Sequence, residues 1–176
     1  MERETIADRI RAAFASVRLG SGISLRQAHA IDGYLEDFSE AEFAALPRHE
    51  ETDDWTLVPE EELAQGDIAH LDAEALRYYL PALMLWLLDH YEDKDERLND
   101  PGVDMSVIGT IFALAPSKEF REHQFGIYES FSAEQRAAIA AYVEALPRLV
   151  TLEYEDATRL ARSLDHYWRG FLAVPR

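Results

Sequence analysis

The stretch Leu71-Asp-Ala-Glu-Ala-Leu-Arg-Tyr-Tyr-Leu-Pro-Ala-Leu-Met-Leu-Trp-Leu-Leu88 decides the fold. Asp72 is a side-chain acceptor of the kind that caps a helix. The spacing that follows predicts a helix over Ala73–Tyr91. From Tyr78 to Leu88 it carries eleven residues without a charge and is apolar nearly all round. A helix apolar on every side is one covered on every side. Eleven residues fall short of the roughly 20 that a membrane span needs, so the segment reads as a buried core helix. Pro81 removes a backbone donor and crowds the preceding turn, which predicts a kink or a restart.

Working outward, the pattern stays helical. Ile6, Ile10, Ala13, Phe14 and Val17 predict a first helix over Glu4–Val17. Ser24 caps a second, to about Tyr34. Ser39-Glu-Ala-Glu42 has capping-box spacing and opens a short helix ending near Leu46-Pro47. Trp55-Thr-Leu-Val58 reads as an extended anchor tucking Trp55 against the core. Pro59 suits the start of a short helix over Glu60–Ala64, ended by Gly66. Asn99-Asp-Pro-Gly102 reads as a turn. Met105–Ala115 fits a helix better than a strand, because no second convincing strand exists to pair with it. Ser117–Phe125 looks helical. Ser132-Ala-Glu-Gln135 is another capping box, opening a helix to Leu146 that Pro147 stops. The last helix is expected over Leu152–Phe171. The expectation is all-α: one domain, residues 1–176, of six to eight helices around a buried, proline-kinked central helix (73–91).

Composition bounds the chemistry. A chain of 176 residues can bury roughly 70% of its extended surface. With no cysteine, disulfides, thiolate metal sites and cysteine nucleophiles are excluded. That suits a cytoplasmic protein. Met1-Glu-Arg-Glu4 runs straight into an amphipathic pattern, with no apolar core of a signal peptide. Fifteen arginines stand against two lysines, which reads as a GC-rich, bacterial genome.

The net charge is −17, unevenly placed. Residues 1–104 hold 25 acids and 9 bases; residues 105–176 hold 9 and 8. Such a field repels nucleic acid and anionic membranes and attracts basic partners, although solubility alone also favours net charge. Glu50, Glu51, Asp53, Asp54 and Trp55, with Asp93, Asp95 and Glu96, are the candidate interaction residues. Tyr34, Tyr128 and Trp168 are further candidates for an aromatic contact, with core packing as the alternative.

Catalytic signatures are lacking. The chain has no Gly-x-Ser-x-Gly elbow, phosphate loop or dinucleotide fingerprint. His29 with Asp32, and His90 with Asp93, are three apart, so each pair shares a helix face as metal ligands do. Glu119 and His123 could add a third pair, and His70 beside Asp72 an acid–base pair. Glu60–Glu62 lacks the spacing of a calcium loop. No cofactor follows from these residues. The reading is a non-catalytic acidic protein, immunity-like or adaptor-like, that binds a basic partner. The alternative is a metal-dependent hydrolase or oxidase using the His/Asp pairs.

Trp55-Thr-Leu-Val-Pro-Glu60, followed by Leu71–Ala82, resembles an uncharacterised bacterial family. Its members pair a Trp-x-x-hydrophobic-Pro segment with an aromatic-Leu-Pro-Ala helix, here Tyr78-Tyr-Leu-Pro-Ala82. Phe131-Ser-Ala-Glu-Gln135 and Asp165-His-Tyr-Trp168 are similar to its C-terminal half. The resemblance spans about residues 25–170. It implies a shared fold in a domain of unknown function, and supplies no activity or catalytic residues.

Overall fold

A computed structural model describes residues 2–34, 38–46, 53–65 and 68–172. Among them are ten α-helices, four single 3-10 turns and no strand, so the fold is all-α. The chain forms two compact units, Ser16–Thr110 and Met1–Ala15 with Ile111–Arg176.

Residues 16–110 are organised by α5 (Ala73–His90). Asp72 Oδ1 accepts from the Ala75 amide at 2.8 Å and caps it. Twelve residues between Ala75 and Leu88 are buried, Pro81 among them. The helix runs unbroken through Pro81, so the expected restart is absent. A mid-helix proline costs about 3 kcal/mol. Burying a single leucine contributes about 1.5–3 kcal/mol, and Leu80, Leu83 and Leu87 are all fully buried, so packing outweighs the lost bond.

The neighbours of α5 are short. α2 (Leu25–Tyr34) packs on α4 (Glu60–Leu63) and on the turn Ile68–His70, while α4 and the turn Trp55–Leu57 pack on α5. α3 (Glu40–Ala44) starts at the expected Ser39 capping box. Trp55–Leu57 is one 3-10 turn rather than an extended anchor, because Asp54 accepts from the Thr56 amide at 3.0 Å and curls the chain. Gly66, expected to end α4, lies outside the described residues.

The start of α5 is pinned by the loop before α2. Asp72 Oδ2 accepts from the Ile23 amide at 3.1 Å. The Glu74 carboxylate accepts from the Ser21 amide at 3.1 Å and from the Ser21 hydroxyl. A Cβ on Gly22 would lie 2.6 Å from the Ala75 nitrogen, so only glycine lets the loop backbone rest there. The Ser21 bonds, the hydroxyl first, hold the Glu74 carboxyl below its usual 4.5.

α6 (Lys94–Asn99) and α7 (Pro101–Leu114) follow. The expected turn 99–102 is instead the end of α6 at Asn99, a single non-helical Asp100 and the start of α7. Asp100 Oδ1 accepts from the Gly102 and Val103 amides at 2.9 and 3.3 Å, and Pro101 takes the first helical position, where its missing donor costs nothing. Residues 105–114 are helical, as the sequence favours. Ser106 Oγ donates to the Leu63 carbonyl at 2.6 Å, and a Cβ on Gly102 would meet the Ala64 oxygen at 2.3 Å.

In the other unit α1 (Glu2–Phe14) packs on α9 (Ala133–Leu149), and α9 also meets α10 (Tyr154–His166) and the turn Trp168–Phe171. α8 (Arg121–Ile127) leads into the turn Tyr128–Ser130. The Ser132 capping box opens α9 as expected. Pro147 does not stop α9, which continues to Leu149. It sits in the last turn, where only one backbone bond is forfeited before the helix ends anyway. The helix expected over Leu152–Phe171 breaks at Tyr167, and the turn beyond it brings Trp168 into the core. There Trp168 Nε1 and Ser163 Oγ both donate to the Leu114 carbonyl, at 2.8 and 2.7 Å, and the Tyr128 hydroxyl donates to that of Ala113 at 3.0 Å. Three side chains thus satisfy carbonyls at the end of α7, which no later helical amide reaches.

Two outcomes test this packing. In an unconstrained helix Gly→Ala stabilises by about 1 kcal/mol. Gly102→Ala is expected instead to lower stability by about 1–3 kcal/mol in urea unfolding, because its Cβ meets backbone. A rise in stability would contradict the contact with Ala64. Glu74, with its carboxyl lowered in the fold, adds stability above its unfolded pKa, lost as pH falls through the folded one. Glu74→Gln should therefore shrink the drop in urea midpoint between about pH 7 and about pH 3. An unchanged drop would show that the Ser21 bonds carry no such linkage.

Candidate interaction surface

The acidic surface of residues 16–110 has a node at His90, the last residue of α5. Its Nε2 lies 2.9 Å from Glu60 Oε1 at the start of α4, and its Nδ1 2.7 Å from Glu96 Oε2 on α6. The ring stacks on Trp86, centroids 4.1 Å apart and planes 18° apart. Only a ring carrying both protons donates to the two carboxylates at once. His90 thereby joins two acidic elements that lie far apart in sequence, α4 with Glu60 and Glu61, and the segment with Asp89, Glu92, Asp95 and Glu96. Its side chain is only 13% exposed, whereas that of Glu60 is 69% exposed.

Few cations offset this field. Residues 16–110 hold 22 acids and 6 bases, a net of −16. Arg18 lies 3.5 Å from Asp53, Arg26 3.1 Å from the buried Glu62, and Arg97 2.8 Å from Asp104. Each of these arginines is thus occupied by a carboxylate, while many acids remain exposed.

The sequence candidates fall to different places. Asp53 accepts from the Leu19 amide at 2.8 Å, and Asp54 caps the 55–57 turn; the Thr56 hydroxyl and amide hold the Asp54 carboxyl below its usual value. Trp55 is 3% exposed and is a core residue, not a surface contact. Tyr128 and Trp168 are fully buried too, and burial pushes the Tyr128 hydroxyl well above its usual 10.0. Glu50 and Glu51 lie outside the described residues, as do the side chains of Asp32 and Tyr34. Asp93 caps α6 by accepting from the Glu96 amide at 2.9 Å, while His90 takes Glu60 and Glu96 as its carboxylate partners. His29 is exposed. Asp95 is exposed and Glu96 holds His90. Among the described residues no group of three or more His, Asp or Glu side chains is placed to hold one metal ion. None of their helices is long and apolar enough to cross a membrane.

The other unit carries a concavity of opposite sign. A cavity of about 410 Å³ is lined by Lys118, Arg121, Arg159 and Arg162 against one carboxylate, Glu155.

The model of a family of unknown function, DUF6714, matches residues 2–171. The chain belongs to that family. No curated protein and no solved structure matches it. The family match takes in α1, which precedes the 25–170 span of the resemblance read from the sequence.

Sequence reasoning missed Glu60 and His90 as partners. Thirty residues separate them, and only the folded chain brings α4 to the end of α5. It missed the basic cavity because four cations among balanced charges leave no imbalance to notice. Their paired spacing, 118 with 121 and 159 with 162, was the available signal.

His90→Phe keeps a ring on Trp86 and removes both carboxylate bonds. It is expected to lower stability by about 1–2 kcal/mol in thermal melting, and to speed proteolysis within 91–100. Unchanged stability and proteolysis would show that His90 does not join the two elements.

Proposed function

We propose that the protein is a non-catalytic interaction protein, immunity-like or adaptor-like, whose acidic residues 16–110 bind a basic protein partner. The observation that carries this reading is the His90 bridge between Glu60 and Glu96, which gathers two acidic elements onto one surface. A net of −16 over 95 residues gives that surface reach toward a basic partner. The same field disfavours nucleic acid, whose phosphates would be repelled. A cysteine-free chain suits the reducing cytoplasm, where such a partner would be met.

Binding of this kind is steered by charge and weakened by salt, since exposed charges are screened within about 8 Å at physiological ionic strength. The test is affinity capture with the full chain as bait, at about 0.05 M and about 0.5 M salt. The expected partner is basic and is lost at high salt. Glu61→Lys with Asp95→Lys, both exposed, should weaken its capture at least about tenfold while leaving the helical circular dichroism at about 25 °C unchanged. Neutral or acidic partners, or capture indifferent to salt and to the charge reversal, would overturn the reading.

A further inference from the structure

The basic cavity lies wholly in the unit formed by residues 1–15 and 111–176. Two short segments build it. Pro116–Arg121 supplies Lys118 and Arg121, and α10 supplies Arg159 and Arg162, three apart and so on neighbouring positions of one helix face. Arg121 and Arg159 are half-buried, and Lys118 and Arg162 are exposed. Among the described residues none of the four side chains makes an ion pair or a hydrogen bond. Three other arginines of this unit are occupied: Arg11 by Glu4 and Asp8, Arg148 by Glu2, and Arg169 by Asp165. In a unit whose acids and bases nearly balance, four neighbouring cations without side-chain partners make a local excess of positive charge.

The walls are held independently of any ligand. Ser163, in the lining, is fixed by its 2.7 Å bond to the Leu114 carbonyl. Phe125, also in the lining, stacks on Tyr167 with centroids 4.0 Å apart and planes 5° apart. That part of the wall is therefore pre-formed, and a volume of about 410 Å³ suits a small molecule rather than a macromolecular segment.

Charge narrows the ligand. Four cations against Glu155 leave a lining of net +3. One carboxylate would leave most of that uncompensated. A phosphate group carries about −1.5 to −2 and presents three acceptor oxygens, and guanidinium groups bind it through paired bonds. Two linked phosphates come closest to balancing the lining. We propose that the cavity lined by Lys118, Arg121, Arg159 and Arg162 binds a small molecule bearing a diphosphate group.

The test is calorimetric titration of the full chain with inorganic pyrophosphate, and separately with citrate, a polycarboxylate of similar charge. Pyrophosphate is expected to bind at one site in the micromolar range, and citrate at least about tenfold more weakly. Arg162→Gln and Lys118→Gln, both at exposed positions, should each weaken pyrophosphate at least about fivefold, and together abolish measurable binding. Arg148→Gln, at a surface pair outside the cavity, should leave it unchanged. Circular dichroism of each variant reads whether the fold persists, and the two single variants provide independent measurements if one fails to fold. No saturable binding, equal binding of citrate, or equal loss with Arg148→Gln would each overturn the proposal.

Discussion

Residues 16–110 depend on one constraint: α5 is apolar on every side and must be covered on every side. Short elements answer it. The 55–57 turn and α4 lie against the helix, and the loop through Gly22 rests on its first turn. Polar groups are pushed to its ends. Asp72 and Glu74 tie the start to the loop before α2, and His90 ties the finish to α4 and α6. The acids of this unit then have almost nowhere to go but the surface. Its buried carboxylate, Glu62, takes Arg26 with it, as burial of a charge demands. An acidic surface is in this sense a consequence of the core.

Capping chemistry makes much of the fold legible. Ser39, Asp72 and Ser132 each start a helix where side-chain oxygen meets the first turn, and these are local effects that sequence carries directly. Proline is a poorer guide. Pro81 is outweighed by burial around it, Pro147 lies where a helix has little left to lose, and Pro101 opens a helix that Asp100 caps. In each case the outcome depends on position within the element and on tertiary packing, neither of which a proline announces. Trp55 is half legible. Its burial follows from the sequence, but its turn does not, because the Asp54 bond that curls the chain competes with an extended reading of a short apolar run.

The surface is legible as charge and not as geometry. Acids around Asp93–Glu96 are visible as a run, yet Asp93 is absorbed by a cap and Glu96 by His90. Glu60, the other arm of the bridge, looks in the sequence like an ordinary helix-start acid. Charge totals also mislead over distance. With screening over about 8 Å, a small ligand in the cavity responds chiefly to the groups that line it, whereas a partner spanning a surface meets the summed charge of that surface. The four cations of the basic cavity therefore keep their local character in an acidic protein. Each charged feature belongs to its own compact unit.

On the proposed reading, the surface gathered by His90 receives a basic partner. Hydrogen exchange of the full chain, with and without a short arginine-rich peptide, reads out where such a partner binds. Slower exchange is expected in α4 and across residues 89–100, with α8 and α10 unchanged. Protection confined to residues 111–172, or none at saturating peptide, would contradict it.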